Sequence, residues 1–148
     1  DGVSAAMLLV EAAAFYQKQG KSLLQVREEI YQEYGYYKEE QISLVLEGIE
    51  GANRIKRMMI NYRQNYVTQF NGVKVSETID YLNGYKDIPS SDVLRFYLED
   101  GSWYALRPSG TEPKIKLYIY TKDVNEAKSL EKLNNIKKLV LESLNNIQ

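Results

Sequence analysis

The hydrophobic positions fall into two regimes, a helical one up to Gly35 and a mixed one after it. Ser4 can cap a helix with the body Ala5 to Tyr16, and Gly20 offers a left-handed stop. That helix is apolar nearly all round, so it wants burial on more than one side. A second helix is predicted from Ser22, where Gln25 three positions on completes a capping-box pattern, through Leu24, Val26, Ile30 and Tyr34 to Gly35. Ile42, Leu44 and Leu46 then alternate with Ser43 and Val45, which predicts a strand over Glu40 to Leu46. The change of period places a boundary at Gly35 to Tyr37.

A Gly48-Ile49-Glu50-Gly51 turn leads into a predicted helix from Gly51 to Arg63, with Ala52, Ile55, Met58, Met59 and Tyr62 on one face. Asn71-Gly72, between Tyr66 to Phe70 and Val73 to Val75, is the two-residue hairpin signature. Ile79 to Ser91, holding Asn83-Gly84 and Pro89, reads as an irregular connector. A clearer hairpin joins Val93 to Leu98 with Ser102 to Leu106 through Glu99-Asp100-Gly101, and Ile115 to Thr121 is the next strand. The last helix is expected to open at Asp123 with Glu126 as its capping-box partner, burying Ala127, Leu130, Leu133, Ile136, Val140 and Leu144. Strand, helix, several antiparallel strands and helix make an α+β two-layer sandwich over residues 37–148, preceded by two helices in residues 1–36.

With 148 residues the chain holds one domain, or one domain and a piece of another. Starting at Asp1 and opening on a helix with nothing to pack against, it reads as an excised part of a longer protein. A net charge of -1 gives no bulk attraction to nucleic acid. Arg54, Lys56, Arg57 and Arg63 go round their helix and read as a solvated face. The longest apolar stretch, Ser4 to Phe15, is short of the ~20 residues that span a bilayer, so no membrane partner is expected. There is no Cys and no His, which removes thiol nucleophiles, thiolate metal sites and every Ser-His or Cys-His arrangement. No catalytic residue and no metal ligand is assigned. The 13 Tyr residues are scattered through the patterns and read as half-buried packing with a polar tip.

One segment carries chemistry. Arg107-Pro108-Ser109-Gly110-Thr111-Glu112-Pro113-Lys114 lies between two strands, with Lys116 two residues beyond. A phosphate monoester presents strong acceptor oxygens and about two negative charges, and is held by cations and short donors. Arg107 offers a guanidinium fork, Ser109 and Thr111 offer hydroxyls, and Gly110 lets backbone amides come close. Pro108 and Pro113 restrict the loop at both ends. By composition the same segment reads equally well as an ordinary Pro/Gly turn with incidental polar residues.

The segment resembles the C-terminal phosphate-binding loop of the α-D-phosphohexomutase family, and Asp1-Gly2-Val3-Ser4-Ala5-Ala6 is similar to the segment opening the last helices of that family's third domain. Tyr36-Tyr37-Lys38-Glu39 looks closest to the bacterial phosphoglucomutase branch. The resemblance implies a TATA-box-binding-protein-like C-terminal domain at 37–148 and third-domain helices at 1–36. It implies a parent interconverting a hexose 1-phosphate and a hexose 6-phosphate through a bisphosphate, with a phosphoserine, a magnesium site of clustered Asp residues and a sugar-reading loop. None of those three motifs occurs here, so no cofactor is assigned to this chain and magnesium is expected of the parent. Carried over, Arg107, Ser109, Gly110 and Thr111 would bind the non-reacting phosphate of a phosphosugar, with Lys116 and Lys114 as added cations. Glu112 would be an acceptor within the loop. The resemblance also implies a cytoplasmic location and upstream domains of the same parent as partners. The rival reading is a non-catalytic phospholigand-binding or interaction module.

Overall fold

The computed structural model describes residues 2–148, so Asp1 of the opening segment lies outside them. Two compact units meet between Tyr36 and Tyr37. The first holds α1 (Gly2–Gln17) and α2 (Leu23–Tyr34). The predicted capping box forms at Ser22: its hydroxyl accepts from the Gln25 N–H while the Gln25 side chain accepts from the Ser22 N–H at 2.8 Å. Gly35 ends α2 at φ 101°, a backbone conformation that glycine alone adopts cheaply. No described residue of α1 is buried, although nearly every position is apolar.

The second unit is a six-stranded sheet in the order β1-β6-β5-β4-β3-β2 with two helices on one face. In chain order its elements are β1 (Tyr36–Val45), α3 (Gly48–Tyr62), β2 (Gln69–Phe70), β3 (Val73–Asp80), β4 (Leu94–Leu98), β5 (Trp103–Pro108), β6 (Lys114–Asp123) and α4 (Glu126–Asn145). From β2 to β6 every neighbour is antiparallel. At the far side the end of β1 meets the start of β6, where the Leu46 N–H donates to Pro113 O at 2.9 Å, so these strands also run oppositely. This is the expected α+β sandwich.

Alternation along the strands builds the core. Leu94, Phe96 and Leu98 of β4, Tyr104 and Leu106 of β5, and Ile115, Leu117 and Ile119 of β6 point to one face. Ile55, Met58, Met59 and Tyr62 of α3 and Leu133, Ile136, Val140 and Leu144 of α4 close over them. Tyr104 stacks on Phe96 at 4.6 Å and its hydroxyl donates to Val67 O at 3.3 Å, which satisfies the polar tip of a buried ring. On the opposite face Arg95 lies over Trp103 at 4.0 Å and over Tyr97 at 4.6 Å, and Trp103 stacks on Tyr120.

Several boundaries differ from expectation. Gly48 to Gly51 is the first turn of α3 rather than a separate turn, with Glu47 as the N-cap. Gly51 must be glycine, because an added Cβ would stand 1.8 Å from Leu46 O. The Asn71-Gly72 turn forms with φ 46° and 86°, but its first strand keeps only two residues, whereas β3 runs on to Asp80 into the supposed connector. Helix α4 is capped by Asn125, whose side chain accepts from the Lys128 N–H at 2.8 Å, because β6 continues through Asp123 and uses it as strand. Leu130 is exposed and Ser129 is buried in its place, bonded to Thr121 Oγ1 at the sheet.

Candidate functional site

The loop between β5 and β6 is a fastened structure. The Ser109 N–H donates to Lys114 O and the Lys114 N–H donates to Glu112 O, each at 2.8 Å, while the Thr111 N–H approaches Ser109 Oγ at 3.5 Å. Its far end is tied down by the Leu46 N–H on Pro113 O. Leu46 in turn lies against Gly51, so the close approach of α3 to the strand end also fixes where the loop stops. Packing against a rigid sheet gives the loop its position.

Arg107, Ser109, Gly110 and Thr111 come together on a cleft of about 820 Å³. Glu112, Pro108 and Pro113 border it as well. The remaining walls come from distant sequence: Gly48, Ile49, Ala52, Ile55 and Lys56 around the start of α3, and Ser91, Asp92 and Val93 before β4. The linear sequence gives no sign of those walls. Arg107 is exposed, and the surface lining the cleft is mostly apolar.

The two lysines are placed differently. Lys116 is not part of the cleft lining but is the direct cross-strand partner of Arg107, which sets two cations side by side on one face of the sheet. Lys114 is ion-paired with Glu112 within the loop. The Glu112 carboxyl is held below the usual carboxylate range by the Lys114 ammonium, with Lys116 adding to the effect. Asp92, the other acid of the cleft, pairs with Arg63 at 2.6 Å. Both acids are thus engaged, and among the described residues Arg107 has no acidic partner.

Glycine at 110 is not demanded by the fold. An added Cβ there would meet nothing within 4 Å, and no positive φ is involved. Gly110 lines the cleft, so its lack of a side chain leaves its backbone open to an approaching group.

Among the described residues no set of three or more His, Cys, Asp or Glu is placed to hold a metal ion.

Residues 53–140 match the family profile described as "Phosphoglucomutase/phosphomannomutase, C-terminal domain". The chain belongs to the phosphoglucomutase/phosphomannomutase family. A phosphoglucomutase of Staphylococcus aureus (strain bovine RF122 / ET3-1) is 37% identical over 145 residues, covering 90% of this chain and 26% of that protein. A probable phosphomannomutase of Haemophilus influenzae is 39% identical over 119 residues, covering 80% of this chain and 23% of that protein. The fold is also that of a Paramecium phosphoglucomutase, pp63/parafusin, in its open form, with a TM-score of 0.69 at 21% identity over 98% of this chain and 27% of that one. The chain thus spans about a quarter of the length of the relatives it matches. The residues 107–113 loop lies within the part that the phosphoglucomutase/phosphomannomutase profile covers.

Proposed function

We propose that this chain is the phosphate-gripping C-terminal part of a cytoplasmic phosphohexomutase that interconverts glucose 1-phosphate and glucose 6-phosphate through a bisphosphate. The observation that carries the reading is the convergence of Arg107, Ser109, Gly110 and Thr111 on one cleft while both acids of that cleft are neutralised by cations of the chain itself. What is left over is positive, which suits a phosphate.

Arg107 gives a charged, two-pronged contact, and the hydroxyls of Ser109 and Thr111 with the amides near Gly110 complete the set of donors. The grip holds the phosphate that is not reacting. A bisphosphate that turns over can present either end to the chemistry, and one fixed anchor serves both orientations. Holding the ligand makes the attack effectively intramolecular, and binding energy from the remote phosphate is used at the reacting centre. In this reading residues 1–36 are the closing helices of the preceding domain, and that domain and others of the parent are the partners. Magnesium belongs to the parent's upstream part, and no step in this chain runs through it.

The test is titration of glucose 6-phosphate into the chain, followed by amide NMR. Shifts centred on residues 107–111 are expected, with Arg107→Ala weakening binding at least about tenfold. Binding by folded Arg107→Ala equal to the wild type would make the loop a structural turn. The chain alone is expected to show no mutase turnover, since it has no phosphoryl-donating serine motif. Turnover above a mock purification in a coupled assay would falsify that.

A further inference from the structure

Four cations stand along α3 and its end, and the fold engages three of them. Arg54 donates to Ile147 O at 2.7 Å and Asn145 O at 2.9 Å, tying α3 to the end of α4. Arg57 donates to Gln148 O at 2.8 Å and pairs with Glu50 at 2.5 Å. Arg63 bridges Asp80 and Asp92 at 2.8 and 2.6 Å. Lys56 is the fourth. It is exposed, and among the described residues its ammonium has neither an ion pair nor a hydrogen bond.

Lys56 lines the same cleft as Arg107 and Ser109. Asp92 and Glu112 are turned to Arg63 and Lys114, so the cleft keeps two unpaired cations on two different elements. Its apolar walls, Ile49, Ile55 and Val93, lower the local dielectric and concentrate the field of both charges on whatever enters. A helix cation that serves only solubility has no reason to stand over this cleft while its three neighbours are tied into the fold.

We propose that Lys56 is a second anchor for the phosphate at the loop, so that the anion sits between a guanidinium on β5 and an ammonium on α3. This rests on the loop being a phosphate site. The two cations contribute differently: Arg107 fixes orientation through its planar fork, and Lys56 adds charge from a flexible stem. Gripping from two elements restricts the anion more than either wall does alone.

The experiment titrates inorganic phosphate into the 148-residue chain at one fixed ionic strength, comparing the wild type with Lys56→Ala, Lys56→Arg, Arg107→Ala and Lys138→Ala. Lys138 is an exposed cation of α4 away from the cleft, so its variant reports bulk charge alone. Lys56→Ala is expected to weaken binding about threefold or more. Lys56→Arg should stay close to the wild type and Lys138→Ala unchanged, with amide spectra confirming the fold of each. Wild-type affinity in Lys56→Ala, beside a loss in Arg107→Ala, overturns the Lys56 assignment and leaves the loop reading standing. An equal loss in Lys138→Ala overturns it as well, because the effect is then general charge. No loss in Arg107→Ala, or no binding by the wild type, overturns the loop reading and this inference together.

Discussion

Arg107 and Lys116 face each other directly across β5 and β6, at the end of the sheet where the loop begins. Like charges opposite one another in a sheet destabilise it by about 0.2–1 kcal/mol. The pair costs stability that the more distant attraction of Lys116 to Glu112 offsets only in part, and an anion bound beside it would relieve the rest. Lys116→Gln is expected to stabilise the ligand-free chain by about 0.5 kcal/mol in urea unfolding while weakening phosphate binding. In excess phosphate the stability difference should shrink or reverse, since a ligand stabilises the form that binds it better. A variant less stable than the wild type without phosphate would show that the pair carries no repulsion.

The loop side chains should rank by charge and geometry. A hydrogen bond to a charged group contributes about 1.5–3 kcal/mol and a neutral one about 1, so Ser109→Ala should lose less phosphate affinity than Arg107→Ala. Arg107→Lys should recover little, because a point charge does not reproduce a bidentate fork. Calorimetric titration of the three variants gives the order, and a fully functional Arg107→Lys would remove the fork from the argument.

Gly110 and Gly51 separate function from fold. Gly110→Ala meets open space, so stability should stay within about 0.5 kcal/mol of the wild type while phosphate affinity falls. Gly51→Ala puts its methyl into the Leu46 carbonyl, and α3 cannot keep its place. It should lose about 3 kcal/mol or more, or fail to fold. Chemical denaturation and phosphate titration of the pair decide both halves.

The loop and most strands were legible because their signals are contiguous. Arg107 to Lys114 is one run, and Leu94, Phe96 and Leu98 alternate within one strand. The other walls of the cleft were not legible, since Ile49, Lys56 and Val93 reach it only through the packing of α3 and the entry to β4. Ser76, Glu77 and Thr78 hid most of β3, because that stretch is exposed and is held by backbone pairing to β4 rather than by an apolar face. The start of α4 was misplaced by two residues because Asp123 and Asn125 are equally good caps by type. Only the course of β6 and the Lys132 partner of Asp123 distinguish them.

Helix α1 carries a prediction of a different kind. Met7, Leu8, Leu9 and Phe15 are 70%, 65%, 61% and 58% exposed, and apolar surface of this extent associates. The chain is expected to self-associate as its concentration rises, and Met7→Lys with Leu8→Glu should restore a monomer. Sedimentation velocity over a concentration series reads this directly. A monomer at every concentration would mean that α1 is covered in solution.

Lys132 on α4 pairs with Asp100 of the β4–β5 turn at 2.7 Å and with Asp123 of β6 at 2.9 Å. Burial opposes the charged form of Asp100, but the Lys132 ammonium and the Ser102 N–H outweigh it and hold the carboxyl below its usual range. The hydrogen bond from Lys132 is the main cause for Asp123, whose carboxyl is likewise lowered. Burial also works against the charged form of Lys132, and its two carboxylate partners reverse that and raise its pKa. A carboxyl lowered by folding contributes stability above its unfolded pKa, near ~3.9, and loses it as pH falls through the folded value. A lysine raised by folding contributes below its unfolded pKa, near ~10.4, and loses it as pH rises through the folded value. The cluster should therefore stabilise the chain fully between about pH 5 and 9 and fade on both sides. Lys132→Met should cost about 1 kcal/mol at neutral pH, and its melting temperature should converge on the wild type's as pH falls through the lowered folded pKa values of Asp100 and Asp123, below which both carboxyls are neutral. A gap between the two melting curves that stays constant from pH 7 to pH 2 would mean that Lys132 acts by packing its stem and not by its charge.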